Sequence, residues 1–436
     1  LAKGQNVPAD VDKGLALIQE VAESGNANAL YQLGDLYTRG GAVPVNGQKA
    51  IDFLQRAADE GNISAYIRLG ELYRDGTVVP ADGTKATELF QKAVEAGSKS
   101  SFTSLADAAL QGIGQPRDVD RAIDLLEQGI AMGDLNATLK LATVLYNGEY
   151  VATDKERALQ LYEDAATKGS MAARYQLAII NRDGGKGIPR NPQRALALLK
   201  QNVLAGHGLS MLALADGHLN KRFGSLSDTT LGVITLRKAE ELGVEGAAPA
   251  LADAYMSGRG GLPKAPQMAI KLLTDAAEAG NRQAARALVT LYRNGRGEVV
   301  RKSPATAARL IDRYAAAYDP NSLMQEKVLI EAAAAADSKA FAAVSKRIWD
   351  APAPLQLGML NSLRWANENA FVYALQDKMK VAGLYKGPLN GLLTSSTIRA
   401  LSTLCDQGPA GDRCRLGPLS NSAARVLAIQ AQSLDM

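Results

Sequence analysis

Residues 61–76 read GNISAYIRLGELYRDG, and the line recurs down the chain as GNANALYQLGDLYTRG at 25–40, GDLNATLKLATVLYNG at 133–148, GSMAARYQLAIINRDG at 169–184 and GNRQAARALVTLYRNG at 280–295. Its first residue keeps time. Gly25, Gly61, Gly97, Gly133 and Gly169 stand 36 apart, and Gly206, Gly243 and Gly280 follow at 37. Eight positions past each glycine stands a leucine, at Leu33, Leu69, Leu105, Leu141, Leu177, Leu214, Leu251 and Leu288. The next position is small in all but the last copy: Gly34, Gly70, Ala106, Ala142, Ala178, Ala215 and Ala252, then Val289. A fixed period of this length means stacked units, because one unit cannot bury its apolar face alone.

Counted from the glycine, the apolar or small positions +4, +8, +11 and +12 (Ala65, Leu69, Leu72, Tyr73) mark one face of a first helix. A loop rich in Gly, Pro, Asn and Asp follows. A second amphipathic segment then runs to the next glycine, as in KAIDFLQRAADEG and KATELFQKAVEAG. Glycine there suits a left-handed helix stop. Alanine near the start of helix two (Ala50, Ala86, Ala122, Ala158, Ala195, Ala269) and the small residue at +9 allow the two backbones to approach closely. The class expected is all-α, a solenoid of antiparallel helix pairs.

These lines resemble the Sel-one-like repeat, a relative of the tetratricopeptide repeat, in Leu33-Gly34, Tyr37 and Gly40, in Leu69-Gly70, Tyr73 and Gly76, and in Ala57-Ala58 with Gly61, Ala165-Ala166 with Gly169 and Ala276-Ala277 with Gly280. The resemblance covers residues from about 11 to 317 and implies a right-handed α-α superhelix. Copies at 97 and 206 are worn, with Ala109 and His218 where Tyr37, Tyr73, Tyr255 and Tyr292 stand in others.

A chain of 436 residues, 47% hydrophobic and 22% charged, is ordinary for a folded protein. No stretch approaches the roughly 18 to 20 apolar residues of a membrane helix. The net charge of +4 is small and interspersed, which excludes a nucleic-acid-binding patch of the basic-run kind. The two cysteines, Cys405 and Cys414, bracket CDQGPAGDRC. They are expected to close a disulfide loop worth about 2 to 3 kcal/mol, which would imply an oxidising compartment; two free thiols are the alternative.

After Tyr318 the repeat fades while helical patterning continues near 321–336, 338–349 and 354–366. These segments read as a degenerate cap whose core takes Trp349 and Trp365. Residues 374–401, ALQDKMKVAGLYKGPLNGLLTSSTIRAL, differ in kind. They resemble the small peptidoglycan-binding domain in Leu375-Gln376, Gly383-Leu384-Tyr385, Gly387, Leu389, Gly391, Thr397 and Ala400-Leu401, with Asn390 where that family has an acid. The resemblance implies a cell-wall-binding segment carrying Tyr385, Gly387, Asn390, Gly391 and Thr397, with the turn residues holding the fold. The expected organisation is a partial repeat over 1–24, eight repeats over 25–317, a cap over 318–369, the peptidoglycan-binding-like segment over 370–404 and a tail over 405–436.

Nothing in the sequence points to catalysis, a metal or a cofactor. His207 and His218, the only histidines, would lie about 16 Å apart on a continuous helix. Asp35, Glu71, Asp107, Asp216 and Asp253 share position +10, with neighbouring units about 10 Å apart, which is wide for an acid/base pair. They read as a repeated solvated face. Positions +3, +7 and +10 on the first helix form a stripe that the buried set leaves unused: Asn28, Gln32 and Asp35, then Ser64, Arg68 and Glu71, then Ser100, Ser104 and Asp107. In later units the stripe turns apolar through Leu209 and Ala213, then Gly246 and Ala250.

By resemblance to tetratricopeptide arrays, such a stripe binds protein partners, the polar half orienting and Leu209 with Ala213 anchoring. The two resemblances together imply a non-catalytic scaffold in the periplasm of a Gram-negative cell, with envelope-protein partners, in envelope assembly or exopolysaccharide production and export. Lipid anchorage or membrane association would come through residues before Leu1. The alternatives are a peptidoglycan or exopolysaccharide anchor acting through the C-terminal segment, and a periplasmic inhibitor of a membrane sensor.

Overall fold

The computed structural model describes residues 11–40, 43–185, 187–406 and 420–434. Among these the regular structure is helical, with isolated bridges in two loops. The chain is an all-α solenoid of helix pairs, and it divides into two compact units, Leu1–Asn202 and Val203–Met436.

The pair built from 61–96 shows why each segment folds as it does. Asn62 sits in extended backbone and its side chain accepts the N–H of Ala65, capping the helix Ile63–Asp75, which stops at Gly76 in the left-handed region. Asp82 caps the second helix, Gly83–Glu95, by accepting the N–H of Lys85. The same two caps return along the chain: Asn26, Asp134, Ser170 and Asn281 on first helices, and Asn46, Asp118, Asp154 and Asp228 on second ones. The cap residue of the second helix also donates its own N–H back to the +12 carbonyl of the first, Asn46 to Tyr37, Asp82 to Tyr73, Asp118 to Ala109 and Asp154 to Leu145, at 2.8–3.0 Å. That bond closes the loop and fixes the angle of the pair.

Packing follows the apolar register. Ala65, Leu69, Leu72 and Tyr73 are buried against Ala86, Leu89, Phe90 and Ala93. The helices meet where the side chain is absent: a Cβ on Gly70 would stand 2.5 Å from the Phe90 ring, and one on Gly34 2.5 Å from Leu54. Ala50, Ala86, Ala122, Ala158, Ala195 and Ala269 are each fully buried. In each compact unit the pairs stack in series; Ile63–Asp75, for example, packs on its own second helix Gly83–Glu95 and on the preceding Gly47–Asp59.

The worn copy at 206 is closed differently. Its first helix, Gly208–Leu219, is followed by a separate short 3-10 turn at Gly224–Leu226, and the N–H of Asp228 bonds the imidazole Nδ1 of His218 at 3.0 Å in place of a main-chain carbonyl. His218 is buried, with the edge of its ring toward Phe223 at a centroid distance of 5.1 Å.

Past the repeats, the helices Pro320–Ala334, Ser338–Trp349, Ala353–Ala366, Glu368–Val381, Ser395–Asp406 and Asn421–Ser433 share one apolar core running from Val328 to Ala431. The segments expected over 318–369 and 370–404 both contribute to it. Trp349 is half-buried; its indole N–H donates to Ala374 at 3.3 Å and Lys378 lies 4.5 Å over the ring. Trp365, expected in the core, is 63% exposed. Leu360, Leu363 and Ala366 take the buried face of that helix, which turns position 365 outward under the Arg364 guanidinium at 4.3 Å.

Candidate interaction face

On the first helices of residues 25–147 the unused stripe faces solvent and is laced together between units. Asn28, Gln32 and Ser64 are exposed. Asn28 Oδ1 accepts from Asn62 Nδ2 of the next unit at 3.0 Å. Arg68 at +7 forms an ion pair with Asp35 at +10 of the preceding unit, Nε to Oδ1 3.1 Å, and donates to Glu71 at 3.1 Å; Asp35 also holds Arg39 at 2.9 Å. Lys140 repeats the relation with Asp107, and Thr103 donates to Asp134 at 3.1 Å. Ser104 is half-buried beside Asp107.

In this row of +10 acids, Asp35, Asp107 and Asp253 each meet a cation of the next unit, while Glu71 and Asp216 pair with arginines of their own units. In the second compact unit, Asp216 pairs with Arg222 at 3.1 Å, and Asp253 takes both Arg259 and, at 2.7 Å, Arg296 of the following unit. Pairs of this exposure contribute little to stability, but they set the register of one helix against the next. The partners Asn62 and Lys140 and the arginines at +16 did not stand out in the sequence. Arg222 and Arg259 lie six positions after an acid of their own unit, whereas Asn62, Lys140 and Arg296 reach partners 33 to 43 positions back that only the stacking of units brings near.

The apolar half behaves differently from its expectation. Leu209 is 57% exposed, but Ala213 is buried and cannot touch a partner. The following unit covers this surface closely, since a Cβ on Gly246 would stand 3.2 Å from Leu212.

In the C-terminal helices, the residues singled out by the second resemblance converge on one buried side chain. Gln376 Oε1 accepts the N–H groups of Asn390 at 3.1 Å and Gly391 at 2.8 Å. Its Nε2 donates to Thr397 at 2.9 Å and to the Leu392 carbonyl at 3.1 Å, with Tyr385 Oη at 3.3 Å. Gly391 has φ +74° and lies against the Asn369 carbonyl, and Gly387 lies under the Tyr385 hydroxyl. Gln376, Tyr385 and Thr397 are buried, so their polar atoms serve the turn. Cys405 is fully buried at the end of Ser395–Asp406, and no described cysteine is free. Its expected partner Cys414 lies outside the described residues.

Among the described residues no group of three His, Cys, Asp or Glu could hold a metal, and no helix is long and apolar enough to cross a membrane. A nearly buried ion pair is structural: Arg293 of the helix Arg282–Asn294 bonds Glu326 of Pro320–Ala334 at 2.5 Å. Burial pushes the Glu326 carboxyl up, against the pull of Arg293.

A stack of helix pairs presenting a laced, solvent-facing stripe defines an α-solenoid of the protein-interaction class. The chain belongs to the Sel1 repeat family, whose repeat matches residues 1–26, 27–62, 63–98, 104–134, 135–170, 172–207 and 248–281, more than half of the chain. Proteins of this family generally serve as protein-interaction scaffolds. The match passes over 208–247, the copy closed through His218. No curated protein matches the chain.

Among solved structures it is similar to a protective antigen of uropathogenic Escherichia coli displaying an SLR fold, at 21% identity over 96% of this chain and 93% of that one, TM-score 0.43. A Sel1 repeat protein from Oxalobacter formigenes is 26% identical over 49% of this chain and 85% of its own, TM-score 0.41. An immunity protein from Pseudomonas aeruginosa is 22% identical over 49% and 81%, TM-score 0.37.

Proposed function

We propose that the chain is a non-catalytic scaffold that holds a protein partner along the first-helix stripe of residues 25–147, working in the periplasm of a Gram-negative cell in envelope assembly or exopolysaccharide production and export. The observation that carries the reading is the lacing itself: Arg68 on Asp35 and Lys140 on Asp107 hold successive first helices in register while Asn28, Gln32 and Ser64 stay open to a ligand. A surface whose spacing is set before binding loses less entropy on association. Asn28, Gln32, Asp35, Ser64, Arg68, Glu71, Ser104 and Asp107 are the partner-binding residues of this reading, with exposed Leu209 as an apolar contact.

The test is affinity capture from envelope extracts with the full chain and with a Gln32→Arg, Ser64→Arg variant, followed by mass spectrometry. A partner held by the parent and lost from the variant, at unchanged helicity, supports the reading; identical partner sets from both sink it. Recovery of a membrane sensor would turn the scaffold into a regulator.

A second reading is an anchor to peptidoglycan or exopolysaccharide through 370–404. What favours it is the turn tied to Gln376, a rigid platform from which Leu392 projects 51% exposed. Co-sedimentation with purified sacculi tests it, and a chain left wholly in the supernatant rejects it.

A further inference from the structure

Between the turn at Gly243 and the turn at Gly280, both within the second compact unit, lies an open groove of about 390 Å³ whose apolar walls are Val244, Ala248, Ala276 and Ala279. Two features of the sequence open it. Position +5 carries Leu30, Tyr66, Phe102, Thr138, Arg174 and Met211 in the first six copies and drops to Ala248 in the seventh, so the side chain that would reach into this space ends at its Cβ. The first helix Ala247–Ser257 also starts four residues after its glycine, with Gly246 at φ +95° before it, where Ile63–Asp75 starts two after Gly61. Glu245 therefore stands in a turn at the edge of the groove instead of in the first turn of a helix. Leu242, beside Gly243, adds apolar surface that is 60% exposed.

The charged side chains that line the groove are Glu240, Glu245 and Arg282. Arg282 turns its Nε to the Ala317 carbonyl at 3.4 Å. Of the acids nearby, Glu241 is paired with Lys238 at 3.2 Å and Glu278 with Arg313 at 2.8 Å, whereas among the described residues Glu240 and Glu245 have no ion pair. Two unpaired carboxylates thus stand against one cation.

We propose that this groove docks a basic segment of a partner protein, which inserts one bulky aliphatic side chain between Val244, Ala248, Ala276 and Ala279 and sets flanking lysine or arginine against Glu240 and Glu245. The site is separate from the polar stripe of residues 25–147 and stands or falls without it. The apolar walls supply the anchor. The carboxylates supply the sign, favouring cations beside the anchor and opposing an acidic segment or a nucleic-acid strand. The volume lies near the lower end of the roughly 300–1,000 Å³ of ligand sites, which admits a side chain and not a whole helix.

The test is fluorescence anisotropy of the full chain, at low ionic strength, with a labelled Lys-Lys-Leu-Lys-Lys peptide beside Lys-Lys-Ser-Lys-Lys and Glu-Glu-Leu-Glu-Glu. The first should bind at least about tenfold more tightly than either, since burial of one leucine is worth that factor and charge reversal removes the flanking contacts. Ala248→Met, the residue of the preceding unit at that position, should fill the groove and weaken binding by about tenfold without lowering the melting temperature read by circular dichroism. If that variant melts early, Glu240→Gln with Glu245→Gln, which leaves the walls intact, gives the reading and should also weaken binding by about tenfold. Glu88→Gln, on an exposed face of an early second helix, should change nothing. Absence of binding, equal binding of the serine or glutamate peptide, or full affinity in the folded variants would overturn the proposal. So would self-association in sedimentation velocity that Ala248→Met abolishes, because the groove would then hold a second copy of the chain.

Discussion

The Nδ1 of His218 accepts the main-chain N–H of Asp228 at 3.0 Å, doing in one unit what the +12 carbonyl does in its neighbours. A main-chain N–H can only donate, so Nδ1 is unprotonated and the ring keeps its proton, when neutral, on Nε2. His218→Leu leaves the Asp228 amide without its acceptor and should cost about 2 kcal/mol in urea unfolding. His218→Asn, whose side-chain oxygen sits close to the place of Nδ1, should recover a good part of it. Equal loss in both variants would show that ring packing on Phe223 matters and the hydrogen bond does not.

Gly70 marks the closest approach of two helices, with the Phe90 ring 2.5 Å from where a Cβ would be. Gly70→Ala should therefore lower stability by about 1 to 3 kcal/mol through overpacking, although alanine is the better helix former. Combining it with Phe90→Leu should cost less than the sum of the two single changes. Additive single costs in a double-mutant cycle would argue against steric contact.

Asp319 caps the helix Pro320–Ala334; the Ser322 hydroxyl first, then its main-chain N–H, hold the carboxyl below the usual carboxylate range. A carboxyl whose folded pKa is depressed gives stability that is complete above the ordinary range and is lost as pH falls through the folded value. Asp319→Ala should cost about 1 kcal/mol at neutral pH and make the acid limb of the stability profile shallower. Parallel profiles for parent and variant would contradict this sign.

Gln376 answers two main-chain donors with a single oxygen. Its replacement by leucine strands the Asn390 and Gly391 amides in a buried site, which should cost about 3 kcal/mol and raise their hydrogen-exchange rates above those of the repeats. Unchanged protection at those two amides would mean that the turn is held by its glycines alone.

For Cys405 and the expected loop to Cys414, intact mass measured with and without alkylation distinguishes a disulfide from two thiols. Replacing both with serine should lower stability by about 2 to 3 kcal/mol if the bridge forms. Quantitative alkylation of both cysteines in the unreduced, unfolded chain would remove the bridge from consideration.

The repeat was readable because it is local: Gly61, Ala65, Leu69, Gly70 and Tyr73 belong to one helix and the glycine that precedes it, and the helix period alone assigns them. The capping residues Asn62 and Asp82 belong to a recurring signal, +1 on five first helices and +21 on the first four second helices, that apolar periodicity does not register. Ala213 was misplaced because exposure in a solenoid depends on the next unit as well as on the helix's own face. Trp365 was misplaced for a related reason: composition favours a buried tryptophan, but Leu360, Leu363 and Ala366 had already taken the buried face.

What the chain by itself determined is the helix pair, its period and its stacking, since these rest on contacts between residues a few turns apart. The partners of the charged and polar side chains were decided by tertiary structure. Asp35 finds Arg68, Asp253 is shared by two arginines, and Gln376 reaches Gly391 because the folded backbone brings together groups that sequence spacing leaves without a common face.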